Sequence, residues 1–388
     1  MATNIHLGGL ASGLDTQTII DKLLKLEAAK ITTAEQKRIS LEADVSAWTD
    51  VGGSLGSLTD ALDTLRDMDT WNKMTATASN TAKLSATANS SALEASYTVS
   101  VTNLAQAHSI ASKRLSSSTD KLVDILPGLT AGDSFSIEGH TISITGTDTL
   151  SSLRTKINNA AGDVLNATIM DNRLVMTRLD TGATELSVAN VSGNPLSDLE
   201  IWNGAIFQNE LVEAKDASFK INGATVTRSG NTGLTDVLEN VTLSLSGATG
   251  VGENVTLTIA RDTETPKAAI QGFIASYNAA VDKMGAYVDI DLTNPKKPVV
   301  GELQGDTLVG TILSNLRRYA TASKSPYMDA TNASYTYDGK TGIMDSLEDV
   351  GVWTSGKENQ LALVDEDKLD YVLNNYFSKA EQMFRGVG

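Results

Sequence analysis

The sequence predicts an α+β multidomain protein, in which a helical stalk built from both chain ends carries two inserted β-rich antiparallel domains. Three observations lead there. Apolar residues recur at three- and four-residue spacing before residue 68 and again after residue 265. Between those zones they alternate with period two, in short Thr-, Ser-, Val- and Ile-rich runs broken by Gly, Asn and Asp. A length of 388 residues exceeds one ordinary core, since domains run to ~100–200 residues. With 41% hydrophobic residues the chain can fill folded cores, and global disorder is excluded.

The first helical zone opens at Asp15, a good N-cap because its carboxylate can accept from the free amides of a first turn. Ile19, Ile20, Leu23, Leu24 and Leu26 then form an apolar stripe. It thins at Ile31-Thr32-Thr33, where β-branched residues lower helix propensity. It resumes as Leu41, Val45, Trp48, Val51 or Gly52, Leu55, Leu58, Leu62 and Leu65, a coiled-coil-like seam for stalk packing. Unbroken from Thr16 to Met68, such a helix would be roughly 80 Å long at ~1.5 Å per residue. Gly52-Gly53 is its expected weak point.

The middle of the chain reads as half-buried antiparallel strands at Tyr97–Thr102, Phe135–Ile137, His140–Ile144, Arg173–Thr177, Phe219–Ile221, Val241–Leu245 and Val255–Ile259. One helix interrupts them at Thr149–Ala160, where Leu150, Leu153 and Ile157 share a face. An internal echo is present. Phe135-Ser-Ile-Glu-Gly139 with the strand after it resembles Phe219-Lys-Ile-Asn-Gly223 with Ala224–Arg228, each with a Gly at a hairpin tip. Each is followed by a helix-like stretch, Leu150–Ile157 or Leu234–Leu238. Two related β-rich domains are the reading preferred over chance recurrence of a common ββα unit.

Helical periodicity returns at Thr265-Pro266, Pro suiting the first helical turn. Ile270, Phe273, Ile274, Tyr277, Val281, Met284 and Val288 share a face and are expected to pack on the N-terminal seam. Asp306 caps a second helix through Leu308, Ile312, Leu313 and Leu316, and Asp365 a third through Leu369, Val372, Leu373, Tyr376 and Phe377. The expected domains are an N-terminal helical leg segment at 1–44, a helical domain of 45–77 with 266–388, a β-rich domain of 78–118 with 212–265, and a second β-rich domain at 119–211. Connections at Thr75–Asn80 and Asp262–Thr265 are the expected hinges.

The chemistry is mostly exclusion. Forty-seven acidic against 31 basic side chains give a net charge of −16, which argues against a nucleic-acid binder, because that affinity comes from neutralising phosphates. Having no cysteine removes disulfides, thiol catalysis and thiolate metal sites. No run approaches the ~18 apolar residues of a membrane span, so no membrane insertion is expected. Met1–Leu10 lacks the basic and apolar regions of a cleaved signal. The histidines, His6, His108 and His140, show no metal-ligand spacing and read as ordinary surface or turn residues. Asp289-Ile-Asp291-Leu-Thr293 starts like a calcium loop but has Asn294 at position six and Val300 at position twelve. Gly247-Ala-Thr-Gly250-Val-Gly252 lies between two strands and reads as a hairpin loop rather than a phosphate cradle. The sequons at Asn89, Asn166, Asn190, Asn240, Asn254 and Asn332 follow from composition. Trp202 and Trp353 are possible carbohydrate platforms, but their β-branched flanks favour core or edge roles. No Ser-His-Asp arrangement, catalytic residue, metal site or cofactor is expected.

Several segments carry a resemblance. Ile5-His-Leu-Gly-Gly-Leu-Ala-Ser-Gly-Leu-Asp-Thr-Gln-Thr-Ile-Ile20 resembles the opening of the flagellar hook-associated protein 2 family, the filament cap proteins. Tyr97-Thr-Val-Ser-Val-Thr-Asn-Leu-Ala-Gln-Ala107 is similar to that family's first β-domain strand. Leu150-Ser-Ser-Leu-Arg-Thr-Lys-Ile-Asn158, Leu174-Val-Met-Thr177 and Thr181-Gly182 resemble the flagellin IN motif, within the second β-rich domain. Asn231-Thr-Gly-Leu-Thr-Asp-Val-Leu-Glu-Asn-Val-Thr-Leu243, Tyr277-Asn278-Ala279, Gly305-Asp306, Leu347-Glu-Asp-Val-Gly351 and Leu361 to Leu369 continue the series in family order.

The resemblance implies a secreted, non-enzymatic cap at the distal tip of the bacterial flagellum, helping exported flagellin subunits fold and insert. Its implied partners are further copies in a homo-oligomeric ring, flagellin, a hook-associated junction protein and a flagellar export chaperone, with no cofactor. The implied architecture is a leg from both chain ends, a mostly helical domain above it, and two β-rich domains forming a plate. Export unfolded through the flagellar type III channel suits a chain without cysteine or cleavable signal. Family members usually continue into a long C-terminal helix that pairs with the N-terminal one, whereas this chain stops at Gly388. The Ile19–Leu26 stripe is therefore expected to be disordered, or to serve helical self-association or filament contact. The alternatives are a surface adhesin binding host glycan or mucin, and a hook–filament junction subunit.

Overall fold

The computed structural model describes residues 16–293, 298–322, 334–357 and 359–386. Asp15 and the rest of the opening motif before it, His6, Asn294 and Asn332 lie outside them. The chain divides into two compact units, Met1–Asn72 with Asp262–Gly388, and Lys73–Arg261.

Helix α1 runs unbroken over Thr16–Arg66, so Gly52 and Gly53 do not interrupt it. The β-branched stretch is also helical, with the Thr32 and Thr33 hydroxyls satisfied by donating back to the Ala28 and Ala29 carbonyls at 3.0 and 2.9 Å. The helix stops short of Met68. Asp67 is extended, and its carboxylate accepts the Asp69 amide at 3.1 Å to cap a second short helix, α2 (Met68–Trp71).

The unit of residues 73–261 begins with β1 (Met74–Ala78), β2 (Leu84–Ala88) and β3 (Ala95–Asn103). There follow β4 (Ser109–Ala111), α3 (Leu122–Ile125), β5 (Ser134–Ile137), β6 (His140–Ser143), α4 (Leu150–Ala161), β7 (Leu165–Met170), β8 (Arg173–Arg178), β9 (Val188–Ser192), α5 (Pro195–Asp198) and β10 (Glu210–Val212). The unit closes with β11 (Ala217–Ile221), β12 (Ala224–Arg228), β13 (Leu234–Leu238), β14 (Val241–Leu245) and β15 (Val255–Arg261). It holds two apolar cores. One lies between the sheets β1-β15-β3-β11-β12 and β13-β14-β2 and buries Val99, Val101, Phe219, Leu243 and Leu257. The other joins β10-β4-β8-β7, β6-β5-β9 and α4 around Ile110, Phe135, Leu153, Ile157 and Leu174. Thr149 and Ser152 form a reciprocal capping box that starts α4.

Both echoed hairpins turn through two residues of positive φ, Glu138 (47°) with Gly139 (80°), and Asn222 (49°) with Gly223 (87°), as a twisted ribbon requires. The echo ends there. Leu234–Leu238 is a strand paired with β14, not a helix, since five residues are too few to nucleate one alone and its β-branched residues suit a ladder. The hinge expected at Thr75–Asn80 is likewise corrected: residues 74–78 pair with β15 along the whole of β1.

The helical unit resumes with α6 (Glu264–Val288), whose first amides, on Glu264 and Thr265, both donate to Asp262 at 3.0 Å. Next come the ribbon β16 (Ile290–Asp291) and β17 (Val299–Val300), and α7 (Thr307–Ala320). Then β18 (Ser334–Tyr337), β19 (Lys340–Ile343), β20 (Val352–Thr354), β21 (Leu361–Leu363), α8 (Glu366–Asn375) and α9 (Phe377–Arg385) complete it. Asp306 and Asp365 cap α7 and α8 through the Leu308 and Lys368 amides, both at 2.8 Å. Helices α1 and α6 pack antiparallel. Ala47 and Val51 share a cluster with Ala280 and Met284, while Leu58 and Leu65 share another with Ile270, Phe273, Ile274, Tyr277 and Val281. Trp48 and Leu55 are partly buried against the first cluster.

Three positions of the seam are corrected. Leu41 and Val45 are exposed (54% and 67%), because α6 ends at Val288 and nothing in the described chain lies beside α1 beyond that level. Leu62 is 41% exposed, at the mouth of a groove. On α7, Ile312, Leu313 and Leu316 pack against the core as expected and Val309 is fully buried there, while Leu308 is corrected to an exposed position.

Candidate functional site

Residues 17–42 of α1 are exposed all round, a stretch of roughly 40 Å at ~1.5 Å per residue. Ile19, Ile20, Leu23, Leu24 and Leu26 are 44–63% exposed along it, and Ile31 and Ile39 are exposed as well. A row of large aliphatic side chains left uncovered among the described residues is the mark of an interaction surface. Its charge supports that. Lys22, Lys25, Lys30, Lys37 and Arg38 stand against Asp21, Glu27, Glu35 and Glu42, so this segment is nearly neutral in a chain of net charge −16. Repulsion between like-charged copies is therefore weak here. Lys30–Glu27 at 2.7 Å and Arg38–Glu42 at 2.6 Å are exposed pairs within the helix, each stabilising it by only a few tenths of a kcal/mol.

The remaining seam residues hold the base of this helix. Leu58, Leu65, Phe273 and Tyr277, with Leu316 and Phe384, line an apolar groove of about 280 Å³ in the helical unit. Nearer the exposed stretch, the Tyr287 hydroxyl and Lys283 Nζ donate to Asp50 at 2.7 and 3.3 Å. These two bonds hold the Asp50 carboxyl below the ordinary carboxylate range. Lys267, little exposed, bridges Glu366 at 2.8 Å and Asp370 at 2.6 Å, and those acids raise its ammonium above the usual lysine range.

Asparagine has a role that the sequence patterns did not reveal. The Asn278 amide on α6 accepts the Leu361 N–H and donates to the Leu361 carbonyl, both at 2.8 Å, so that it pairs with β21 as a strand would. Asn158 does the same to Ala167, and Asn231 to Ala105. An asparagine on an otherwise apolar helix face, as at Asn278, is the signal that could have found the first of these.

Expected bystanders fare differently. His140 is exposed at the start of β6. His108 is not a surface residue: it is fully buried, with Phe207 edge-on at 4.8 Å. Burial is tolerated because both ring nitrogens are satisfied. Nδ1 accepts the Leu186 amide at 2.8 Å, which leaves Nε2 to donate to Glu210 at 3.2 Å. Trp202 packs against a core, and Trp353 lies 36% exposed on β20. Among the described residues there is no cluster of three or more metal-ligating side chains, and no helix is long and apolar enough to cross a membrane.

The chain is similar to one solved structure in particular. Over 88% of this chain and 89% of the other, it is similar to the crystal structure of the flagellar cap protein FliD D1-D2-D3 domains from Escherichia coli, with a TM-score of 0.54 and 27% identity. The family models for the N-terminus and C-terminus of flagellar hook-associated protein 2 match residues 12–108 and 214–388, and that for the flagellin hook IN motif matches residues 129–180. The chain belongs to the flagellar hook-associated protein 2 family. It is 28% identical to flagellar hook-associated protein 2 of Escherichia coli K12, across 98% of this chain and 80% of that protein. It is 26% identical to the A-type flagellar hook-associated protein 2 of Pseudomonas aeruginosa, across all of this chain and 81% of that protein. These relatives do not favour the adhesin or the junction-subunit alternative.

Proposed function

We propose that the protein is a non-enzymatic flagellar filament cap, secreted and assembled as a homo-oligomer at the distal tip, where it promotes the folding and insertion of exported flagellin subunits. The observation that carries this reading is likeness along essentially the whole chain, in order, to hook-associated protein 2. The α1 stripe, exposed among the described residues, supports it, because a working cap needs an apolar contact surface. Ile19, Ile20, Leu23, Leu24 and Leu26 serve self-association or filament contact, while the buried seam between α1 and α6 keeps their helix rigid at its base. Residues 1–44 act as the leg, 45–72 with 262–388 as the helical domain, and 73–107 with 213–261 and 108–212 as the two β-rich domains of the plate, bounds shifted from the sequence expectation because β1 lies in the β-rich unit and β4 and β10 in its second core. Flagellin, a hook-associated junction protein and an export chaperone are its remaining partners.

The test is a strain lacking this protein, complemented with a tagged full-length copy. Without it, flagellin should accumulate in the medium as monomer and filaments should be absent or short. With it, filaments should return, with label at their distal ends. Normal filament growth in the deletion strain, or label confined to the shaft or the hook junction, overturns the reading.

A further inference from the structure

The sheet β1-β15-β3-β11-β12 ends on β12. The two-residue Asn222-Gly223 turn makes Ile221 and Ala224 a pair that exchanges both main-chain hydrogen bonds, and by alternation so do Phe219 with Val226 and Ala217 with Arg228. The N–H and C=O groups of Thr225 and Thr227 therefore face away from β11, toward the open side. Both threonines are exposed. Open strand edges are usually protected by Pro, a bulge or a charge. Residues 224–227 have no Pro and no charge, and β12 pairs with β11 without a bulge.

At the end of that strand one side chain folds back over the edge. Arg228 Nη1 donates to the Thr227 carbonyl at 2.7 Å, while Nε donates to both carboxylate oxygens of Asp236 at 3.1 and 3.0 Å. The bond from Arg228 holds the Asp236 carboxyl below its ordinary range, so the pair persists through neutral pH.

We propose that Arg228, anchored by Asp236, is an edge guard that prevents β12 from adding antiparallel to β12 of a second copy. The partner follows from the pattern of free groups. A two-fold axis through Val226 sets Thr225 opposite Thr227 of the other copy, each offering N–H where its counterpart offers C=O. Nothing charged on 224–227 repels that approach, whereas the chain as a whole, at −16, repels itself. Completing the pairing requires the Thr227 carbonyl of both copies, the group that Arg228 occupies.

The test compares sedimentation mass over a concentration series for full-length wild type, Arg228→Ala, Asp236→Asn, Thr225→Pro and Arg228→Ala with Thr225→Pro. Circular dichroism checks folding. Arg228→Ala should associate at concentrations at least tenfold lower than wild type, and Asp236→Asn should shift in the same direction. Thr225→Pro removes an outward N–H without touching the β11 ladder, so it should leave wild type unchanged and cancel the Arg228→Ala shift. If Arg228→Ala does not fold, Asp236→Asn with and without Thr225→Pro decides. Wild-type mass behaviour in the guard variants overturns the proposal, and so does a shift that survives Thr225→Pro. Neither result bears on the flagellar reading, which is tested in cells.

Discussion

Trp71 Nε1 donates to the carbonyl of Leu65 at 2.7 Å, with both side chains almost fully buried. The bond ties α2 to the last turn of α1, and the same indole stacks on Phe384 (5.8 Å) and meets Phe377 edge-on (5.6 Å). Replacing Trp71 with Phe keeps most of the ring and orphans the carbonyl, so it should cost about 1–3 kcal/mol. Replacing it with Ala also empties the site and should cost about 3–5 kcal/mol. Denaturant unfolding of the full chain measures both, and a Phe variant as stable as wild type would mean the bond contributes nothing.

Asn278 predicts a second graded pair. Asn278→Ala strands the N–H and C=O of Leu361 together and should cost about 2–6 kcal/mol, at about 1–3 kcal/mol per unsatisfied group. Asn278→Asp retains the acceptor but turns a carboxylate oxygen toward the Leu361 carbonyl, so it too should destabilise at neutral pH, and less so at a pH where the carboxyl is protonated and can donate. Faster amide exchange at Leu361 in the Ala variant, which loses the acceptor of that N–H, is the local readout.

Glycines divide by conformation. Gly351 has φ +81°, and a Cβ there would lie 2.1 Å from the Asp365 carbonyl oxygen. Gly351→Ala should therefore destabilise the helical unit, with a lower melting temperature. Gly52, Gly53 and Gly56 are helical with nothing within 4 Å of an added Cβ. Changing each to Ala should stabilise by about 0.5–1 kcal/mol, raising the melting temperature.

Acid should act through Asp148. Burial alone pushes its carboxyl up, but hydrogen bonds from Lys156 (2.5 Å), the Thr145 amide (2.7 Å) and Ser152 (2.8 Å) together outweigh burial and hold it below the ordinary range. A carboxyl lowered in the folded state stabilises fully above its unfolded value, about 3.9, and the contribution fades as pH falls through the folded value. Asp148→Asn should then be less stable than wild type at pH 7, with the gap narrowing below about pH 4. A gap that stays constant to pH 2 would contradict this.

The exposed stripe gives a prediction that separates contact from folding. Leu23→Asp with Leu24→Asp should leave the unfolding transition unchanged, because neither residue touches a core. In cells the same change should reduce flagellin retention at the filament tip. Unchanged filament growth would remove α1 from the assembly surface.

Much of this architecture was legible because periodicity reports which side of an element is apolar. Helix α4, the strand at Val255 and the face of α6 from Ile270 to Met284 all follow directly from it. Periodicity says nothing about where a partner ends. Leu41 and Val45 fit the seam as well as Leu58 does, yet α6 stops before it reaches them. Short segments such as Leu234–Leu238 are ambiguous, since five residues fit either period and the pairing strand decides. His108 and the asparagine clamps are invisible for a related reason: their worth depends on main-chain groups brought close from 78 to 126 residues away for His108, Asn278 and Asn231.

The register Met74↔Arg261 places the first and last residues of the β-rich unit's outer ribbon side by side, only about 5 Å apart, as directly opposed strand residues are. To the rest of the polypeptide, the whole excursion from Lys73 to Arg261 thus has the footprint of a tight loop. A cassette joined through one such doorway can be enlarged, traded or deleted in evolution without lengthening the gap its host must bridge.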